Sequence, residues 1–173
     1  MRSVFLIVAV LLVAGGCRGA AAPTGPGLPA PGSGTPAATS LAALAGSYDV
    51  IIEIPERCAQ AASIPATLSY GATLTASAFG YLAISIGPAF RGDLWPAGGD
   101  TVRLSLNNFD IGGCDGAAET LPDGRLLNIC GSGPMRMEGA TISGTIEGTT
   151  WIGTPAAAGT SCSGSHGYRF TRR

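Results

Sequence analysis

Alternation of apolar and polar residues, which is typical of a strand with one buried face, recurs along the chain from about residue 41. It is clearest over 48–54, 101–106 and 141–152, where one set of alternate residues is largely apolar or glycine. Turn-forming residues such as Gly87-Pro88 and Pro122-Asp123-Gly124 separate these segments. The only helical signal is a turn at 41–45. The pattern predicts eight strands: 48–54, 67–76, 81–86, 101–106, 126–130, 135–138, 141–152 and 168–172.

Eight short strands separated by turns are typical of an antiparallel barrel or sandwich. Gly144 and Gly148 fall on one face of the same strand, which favours a closed barrel because inward glycines permit tight coiling. Six of the eight predicted strands have seven residues or fewer, below the ~9–11 of a membrane-spanning strand. We therefore expect an all-β domain, a small soluble eight-stranded barrel over residues 41–173.

Cysteine positions indicate how this barrel is fastened. Cys58, Cys114, Cys130 and Cys162 form an even set, which in an exported chain predicts two disulfides among three possible pairings. In a closed up-and-down barrel with an even number of strands, the first and last strands are neighbours. The end of the first strand, just before Cys58, then lies beside the start of the last, just after Cys162. The predicted pairs are Cys58–Cys162 and Cys114–Cys130.

The two ends of this domain resemble those of a known family. Gly46-Ser47-Tyr48 looks like the Gly-x-Trp opening of lipocalins and related calycin barrels, with Tyr in place of Trp. Arg169 or Arg172 looks like the arginine that these families pack across the aromatic ring. The resemblance implies a lipocalin-like barrel and covers only these two short segments.

The N-terminus has the layout of an export signal. Arg2 precedes an unbroken apolar run over 4–13, which is too short to cross about 30 Å of hydrocarbon as a helix. The small residues that follow lead to Cys17, and this step resembles the lipobox of bacterial lipoproteins, although Ala14 stands where Leu is usual. The resemblance implies that residues 1–16 are removed and that Cys17 is acylated. The alternative is an ordinary secretory signal cleaved nearby.

A low-complexity segment follows the cysteine. Residues 17–40 are rich in Pro, Gly and Ala, with few large apolar side chains, so we expect a disordered tether. As a random coil it spans on the order of 25 Å. The residue after the cysteine is Arg18, which in the better-known lipoprotein families implies the outer membrane. The expected location is therefore the cell envelope, with a membrane contact through the N-terminal lipid.

Composition excludes several classes of protein. The chain of 173 residues carries a net charge of −1, with ten Arg and no Lys, so it offers no basic surface for nucleic acid. A phosphate-binding loop of the Gly-Lys-Ser/Thr type is excluded by the same lack of lysine. Charged residues make up 12%, whereas a protein built of long amphipathic helices needs more.

Catalytic motifs are missing. His166 is the single histidine and is predicted to lie in a polar loop entering the last strand. No Gly-x-Ser-x-Gly elbow accompanies it, and one histidine excludes HExxH. The four cysteines lack the CxxC spacing of a zinc site. We expect no enzyme activity, cofactor or metal.

Two acidic arrangements are open to another interpretation. Asn107, Asn108, Asp110 and Asp115-Gly116 could give calcium hard oxygen ligands, although turn chemistry explains them equally. Paired carboxylates can hydrolyse glycosides across a cleft, and solvated strand faces are the simpler explanation. The two possible pairs are Glu53 with Glu56 and Glu138 with Glu147.

Large aromatic residues indicate a contact surface. The segment 87–100 is predicted to be a long loop that either completes the core or meets a ligand or partner. Its Arg91-Gly92-Asp93 matches an adhesion tripeptide, a match that three residues often give by chance. The predicted contact residues are Phe90, Leu94, Trp95, Phe79, Tyr81 and Trp151.

Two hypotheses for function follow. The first is a non-catalytic binding module for a small apolar ligand, held in a hollow barrel of a few hundred Å³. The second is a protein-interaction module, such as a periplasmic protease inhibitor built on a small barrel. A barrel filled by its own side chains favours the second.

Overall fold

The computed structural model describes residues 40–107, 114 and 116–173, and for residues 157 and 158 it describes the backbone only. All described residues belong to one compact unit. The predicted signal peptide over 1–16, the predicted acylation site Cys17 and the predicted tether, apart from residue 40, lie outside the described residues.

Strands make up most of the domain, as the alternation predicts. A 3-10 helix at Leu41–Leu44 precedes the first strand, which confirms the predicted helical turn. The remaining elements, in chain order, are β1 (Gly46–Glu53), α1 (Glu56–Ala62), β2 (Thr67–Ala76), β3 (Leu82–Ile86), β4 (Phe90–Gly98), β5 (Thr101–Leu106), β6 (Glu119–Thr120), β7 (Leu126–Glu138), β8 (Thr141–Thr154) and β9 (Ala157–Arg172).

The sheet closes on itself. Every pairing is antiparallel, β5 pairs with β7, and β1 pairs with β9. In the β1–β9 ladder Tyr48 lies opposite Arg172, and Glu53 lies opposite Gly167. Eight strands thus form the barrel, and the two-residue β6 adds only a short pairing to β7. The predicted closed, eight-stranded antiparallel barrel is confirmed.

Both disulfides form as the topology predicts. Cys58, in α1 just after β1, pairs with Cys162 in β9, with Cα atoms 5.3 Å apart. Cys114 pairs with Cys130 of β7, with Cα atoms 5.5 Å apart. The first pair joins the chain's two halves beside the seam where β1 meets β9, and the second holds the segment after β5 against β7.

The barrel has two distinct ends. End A holds the 3-10 helix and the turns 77–81, 99–100 and 139–140, and end B holds α1 and the turns 87–89 and 155–156. At end A the hydroxyl of Tyr48 donates to the Leu44 carbonyl at 2.7 Å, and Arg172 donates to the carbonyls of Ala43 and Ala45. These bonds hold the 3-10 helix across the end of the barrel, with Leu44 buried in the core.

End B is covered by α1. Cys58, Ala59 and Ala62 are its buried residues. Arg125, at the start of the β7 hairpin, donates to the Ala62 and Ser63 carbonyls at 2.6 and 3.2 Å, which satisfies groups that a helix end leaves unpaired. Both ends of the barrel are therefore closed by segments of the chain itself.

The predicted loop over 87–100 is wrong, because most of it is strand β4. Alternation is present at the buried Phe90 and Leu94, but glycine at the intervening position 92 and the exposed residues from Trp95 onward hide the apolar signal. A Cβ at Gly92 would collide with the backbone of Ser105, so glycine lets β4 and β5 approach closely. Pro96 lies beside a register shift in the β4–β5 ladder, where proline is tolerated.

The predicted strands 126–130 and 135–138 are one continuous strand, β7. The residues between them are of types that often form turns, but here they are part of the extended strand: Gly131, Ser132, Gly133 and Pro134. A Cβ at Gly133 would press on Ile146, so the glycine gives room for the facing strand rather than a turn. The predicted count of eight was right because this division offset the missing β4.

Helix α1 was not predicted. Its seven residues are too few for a helical period, although Pro55 before it and Glu56 in its first turn are typical of a helix start. Ser63 ends it in the left-handed conformation at φ 51°. The sequence signal that could have predicted α1 is the run of good helix formers, rich in Ala with Glu, Arg and Gln, between Pro55 and Ser63.

Candidate functional site

The interior of the barrel is filled by its own side chains. A side chain that borders an internal void large enough for water retains surface that water can reach. The largest interior side chains are less than 2% exposed, so they do not border such a void. Tyr48 and Phe170 meet edge to face, with ring centroids 6.5 Å apart. The fully buried set includes Tyr48, Ile52, Leu74, Leu82, Ile86, Phe90, Leu94, Leu104, Leu106, Leu127, Ile129 and Phe170.

Three depressions open on the surface of the described domain. One of about 190 Å³ is lined by Ile51, Glu53 and Arg169, and another of about 270 Å³ by Ala83, Asp93 and Ser105. A larger and more apolar groove of about 510 Å³ lies beside Trp151. Binding by this domain is therefore expected on its outer face.

Two of the six predicted contact residues belong to the core. Phe90 and Leu94 point inward from β4 and are 0% exposed. Phe90 also packs edge to face on Tyr70, at 5.5 Å between centroids. These two side chains complete the core, which was one of the two alternatives for the segment 87–100.

Three others lie on the outside at end A, and two of them are in contact. Tyr81 and Trp95 stack across β3 and β4, with centroids 4.6 Å apart and planes 30° apart. Phe79, in the adjacent 77–81 turn, is 83% exposed, and Trp95 is 41% exposed. We call Phe79, Tyr81 and Trp95 the aromatic rim.

Trp151 lies at the opposite end, on the outer face of β8. Side chains added at Gly153 or Gly159 would collide with its indole ring, so the ring lies flat over these two glycines. Gly159 belongs to β9, and the ring therefore reaches from β8 across to the next strand. Trp151 is partly exposed and forms one wall of the 510 Å³ groove, together with Leu126 and Ser161.

Strand β9 has an open edge next to this ring. It pairs with β1 only from Gly167 onward, whereas its pairing with β8 reaches Ala157. The backbone N–H of Arg173 donates to Ser47 of β1, whereas the backbone N–H of Arg172 donates to Ala140, on the β8 side. Along β9 the backbone N–H and C=O groups of odd-numbered residues therefore point away from β8. The Ser163 carbonyl accordingly accepts from Arg57 of α1 at 2.8 Å.

By this alternation the backbone groups of Ser161 also face away from β8, whereas Gly159 lies in the irregularity of the β8–β9 ladder that follows Thr160. Among the described residues, no backbone partner pairs with Ser161 on that side. Unpaired edge groups of this kind are a template for another extended segment. Trp151, its two glycines and the edge residue Ser161 form what we call the edge site.

His166 lies inside strand β9, so the predicted polar loop is wrong. It is 0% exposed, because even-numbered residues of β9 face the interior. Its Nε2 is 2.8 Å from the Thr150 hydroxyl and its Nδ1 is 2.9 Å from the Gly164 carbonyl. Burial lowers the pKa of His166, and the Gly164 carbonyl and Glu147 oppose this shift. A neutral ring donating from Nδ1 and accepting at Nε2 satisfies both contacts.

Of the two possible acidic pairs, Glu138 and Glu147 lie far apart. Glu138 ends β7 at end A, whereas Glu147 is six residues along β8 from Thr141, which is about 20 Å along a strand. Glu56 accepts a hydrogen bond from Gln60 in the next turn of α1. Glu53 lines the 190 Å³ depression.

Of the possible calcium ligands, Asn108, Asp110 and Asp115 lie outside the described residues. The Asn107 side chain is committed to the fold. It accepts from the Arg91 amide and donates to the Ile129 carbonyl and the Asn128 side chain, at 2.7–3.0 Å. Within the part of the chain that the structure describes, no three His, Cys, Asp or Glu residues gather as a metal site.

Comparisons with protein-family models, with curated proteins and with solved structures find no match to this chain. Among the helices of the described segments, none has the length and apolar character needed to cross a bilayer.

Proposed function

We propose that this chain is an envelope lipoprotein, anchored through Cys17, whose lipocalin-like barrel binds another protein. The observation that carries the proposal is the filled barrel, closed at end A by the 3-10 helix and at end B by α1. A small apolar ligand inside it would have to displace packed side chains, at a cost of several kcal/mol. The interior therefore favours the protein-interaction hypothesis over the carriage of an apolar ligand.

The edge site is the surface that fits a polypeptide. An extended segment can add to the open edge of β9 at Ser161. The indole of Trp151 lies over Gly159, directly beside the position of the added strand. Partly exposed Trp residues are common anchors of protein interfaces.

Export to an oxidising compartment supports the envelope location. Two disulfides join all four cysteines of the barrel, and such bonds persist outside the cytoplasm. Cys17 lies outside this set and is the residue that the lipobox-like step leaves for acylation. Mass spectrometry of the mature N-terminus tests the anchor, and a chain starting at an unmodified Ala or Gly would contradict it.

Site-specific crosslinking tests the partner. A photoreactive phenylalanine at Trp151 should give one discrete adduct with an envelope protein, whereas the same residue at the exposed Thr73 of β2 should not. Ser161→Pro removes an edge N–H that the barrel does not use, so it should abolish the adduct and leave the fold intact. Adducts unaffected by Ser161→Pro would contradict the edge site. A saturable thermal shift with apolar compounds would favour the first hypothesis instead.

A further inference from the structure

The aromatic rim is a preorganised apolar surface. The 77–81 turn is closed by a hydrogen bond from the Ser77 amide to the Tyr81 carbonyl at 2.9 Å. The Phe79 amide donates to the Ser77 hydroxyl at 3.1 Å, which holds the turn that projects the phenyl ring. Phe79 and Trp95 are two of the three exposed large apolar side chains among the described residues, the third being Ile51.

The rim lies at the end of the barrel where the described chain begins. Ser40 leads into the 3-10 helix at end A, which contacts β2, and β2 leads directly into the 77–81 turn. The 39 residues before Ser40 contain the apolar run and Cys17. The tether predicted from the sequence would span on the order of 25 Å as a random coil, so acylation of Cys17 would keep end A close to the lipid surface.

Charges of both signs lie around the rim, and Asp93 is two residues before Trp95 on the same face of β4. Arg103 of β5 lies opposite Trp95 in the β4–β5 ladder. The acids Asp49 and Asp100 near this end each form an ion pair, with Arg173 and Arg136 at 2.6 and 3.3 Å. Glu138 also lies at this end, on β7, two strands along from β4.

We propose that the aromatic rim inserts into the headgroup region of the membrane that carries the lipid anchor. Tyr and Trp favour this interface because each combines an apolar body with a polar tip. End A then faces the bilayer, and the edge site at end B points away from it toward a partner. The orientation rests on the proposed anchor, whereas the affinity of the rim for lipid does not.

The two tryptophans provide the test, since one lies in the rim and the other at end B. Trp151→Phe leaves Trp95 as the single reporter, and Trp95→Phe leaves Trp151. Each full chain, acylated and as Cys17→Ser, is mixed with phosphatidylethanolamine–phosphatidylglycerol vesicles carrying brominated acyl chains. Trp95 fluorescence should be strongly quenched and shifted to the blue, and Trp151 fluorescence should be unchanged.

Phe79→Ser provides a second measurement, because this exposed side chain contributes little to the fold. It should lower the partition of the Cys17→Ser chain onto vesicles by roughly tenfold. Equal quenching of both tryptophans, no quenching of either, or partition indifferent to Phe79→Ser would overturn the proposal. A crosslink from position 79 to a protein in place of lipid would overturn it as well. If Cys17 proves not to be acylated, only the proposed anchor is lost. The measurements on the Cys17→Ser chain still decide whether the rim binds lipid.

Discussion

Asn107 shows how a single side chain completes this barrel. It ends β5 in the left-handed conformation at φ 50°, which Asn tolerates better than most residues. Its side chain reaches the Arg91 amide of β4 and the Ile129 carbonyl of β7. From sequence it was one of several polar residues consistent with either a turn or an ion site. Only the approach of β4 and β7 at this point gives it a structural role.

His166 is the residue whose environment differs most from its prediction. Its fully buried, neutral ring occupies an interior position next to Gly148, where an added side chain would press on the imidazole. One histidine in a polar stretch of sequence gives no signal of burial. Extension of β9 back to Ala157 decides it, because the strand then alternates through 166 and places the His166 side chain on the inner face, between the exposed Ser165 and the partly buried Gly167.

Stability should fall as the pH drops below about 6.5 because of His166. Burial lowers the pKa of His166 in the fold, so the unfolded chain binds the proton first. Between the ordinary pKa and the lowered one, each pH unit then costs up to about 1.4 kcal/mol. Urea unfolding at several pH values measures this.

The control is His166→Gln, which does not titrate. Its free energy of unfolding is expected to be lower at pH 7.5 but flatter toward pH 5 than that of the natural chain. Parallel pH profiles for the two proteins would show that other groups cause the loss.

At the scale of elements, the two disulfides stabilise the fold unequally. Cys58–Cys162 closes a loop with a sequence separation of 104, and Cys114–Cys130 one of 16. Loop entropy predicts contributions of about 5 and about 3 kcal/mol. The double variants Cys58→Ser/Cys162→Ser and Cys114→Ser/Cys130→Ser, compared by urea unfolding, should differ in this order. A larger loss from the second pair would show that strain or local packing outweighs chain entropy.

Strand prediction succeeded in β1 and β5, where alternation is carried by large apolar residues, and in β8, where isoleucines at 142, 146 and 152 carry it past two glycines. It failed in β4 and in the middle of β7, where Gly92, Gly131 and Gly133 take the inward places. Locally such residues indicate turns. In the barrel they are needed because facing strands approach too closely for a side chain.

At the scale of the whole molecule, the closed interior has a measurable consequence. Phe90→Ala should destabilise the barrel by about 3–5 kcal/mol, since it removes a 0% exposed ring and leaves a cavity. Benzene or indole should raise the melting temperature of this variant by filling the space, but not that of the natural protein.

Phe90→Leu is the matched control, because it keeps most of the side-chain volume. It should lose less stability than Phe90→Ala and respond weakly to either compound. A melting temperature of the natural protein that rises with benzene would show that its interior has room for a ligand.

The sequence by itself determined the class of fold, its closure and the pairing of its cysteines. These depend on a period of two and on the parity of the strand count, which are local or topological properties. The burial of Phe90, Leu94 and His166 and the grouping of Phe79, Tyr81 and Trp95 were decided only by the tertiary structure. So were the filled interior and the open edge of β9. Each depends on which face of which strand meets a neighbour, and strand register is set by contacts between residues far apart in the chain.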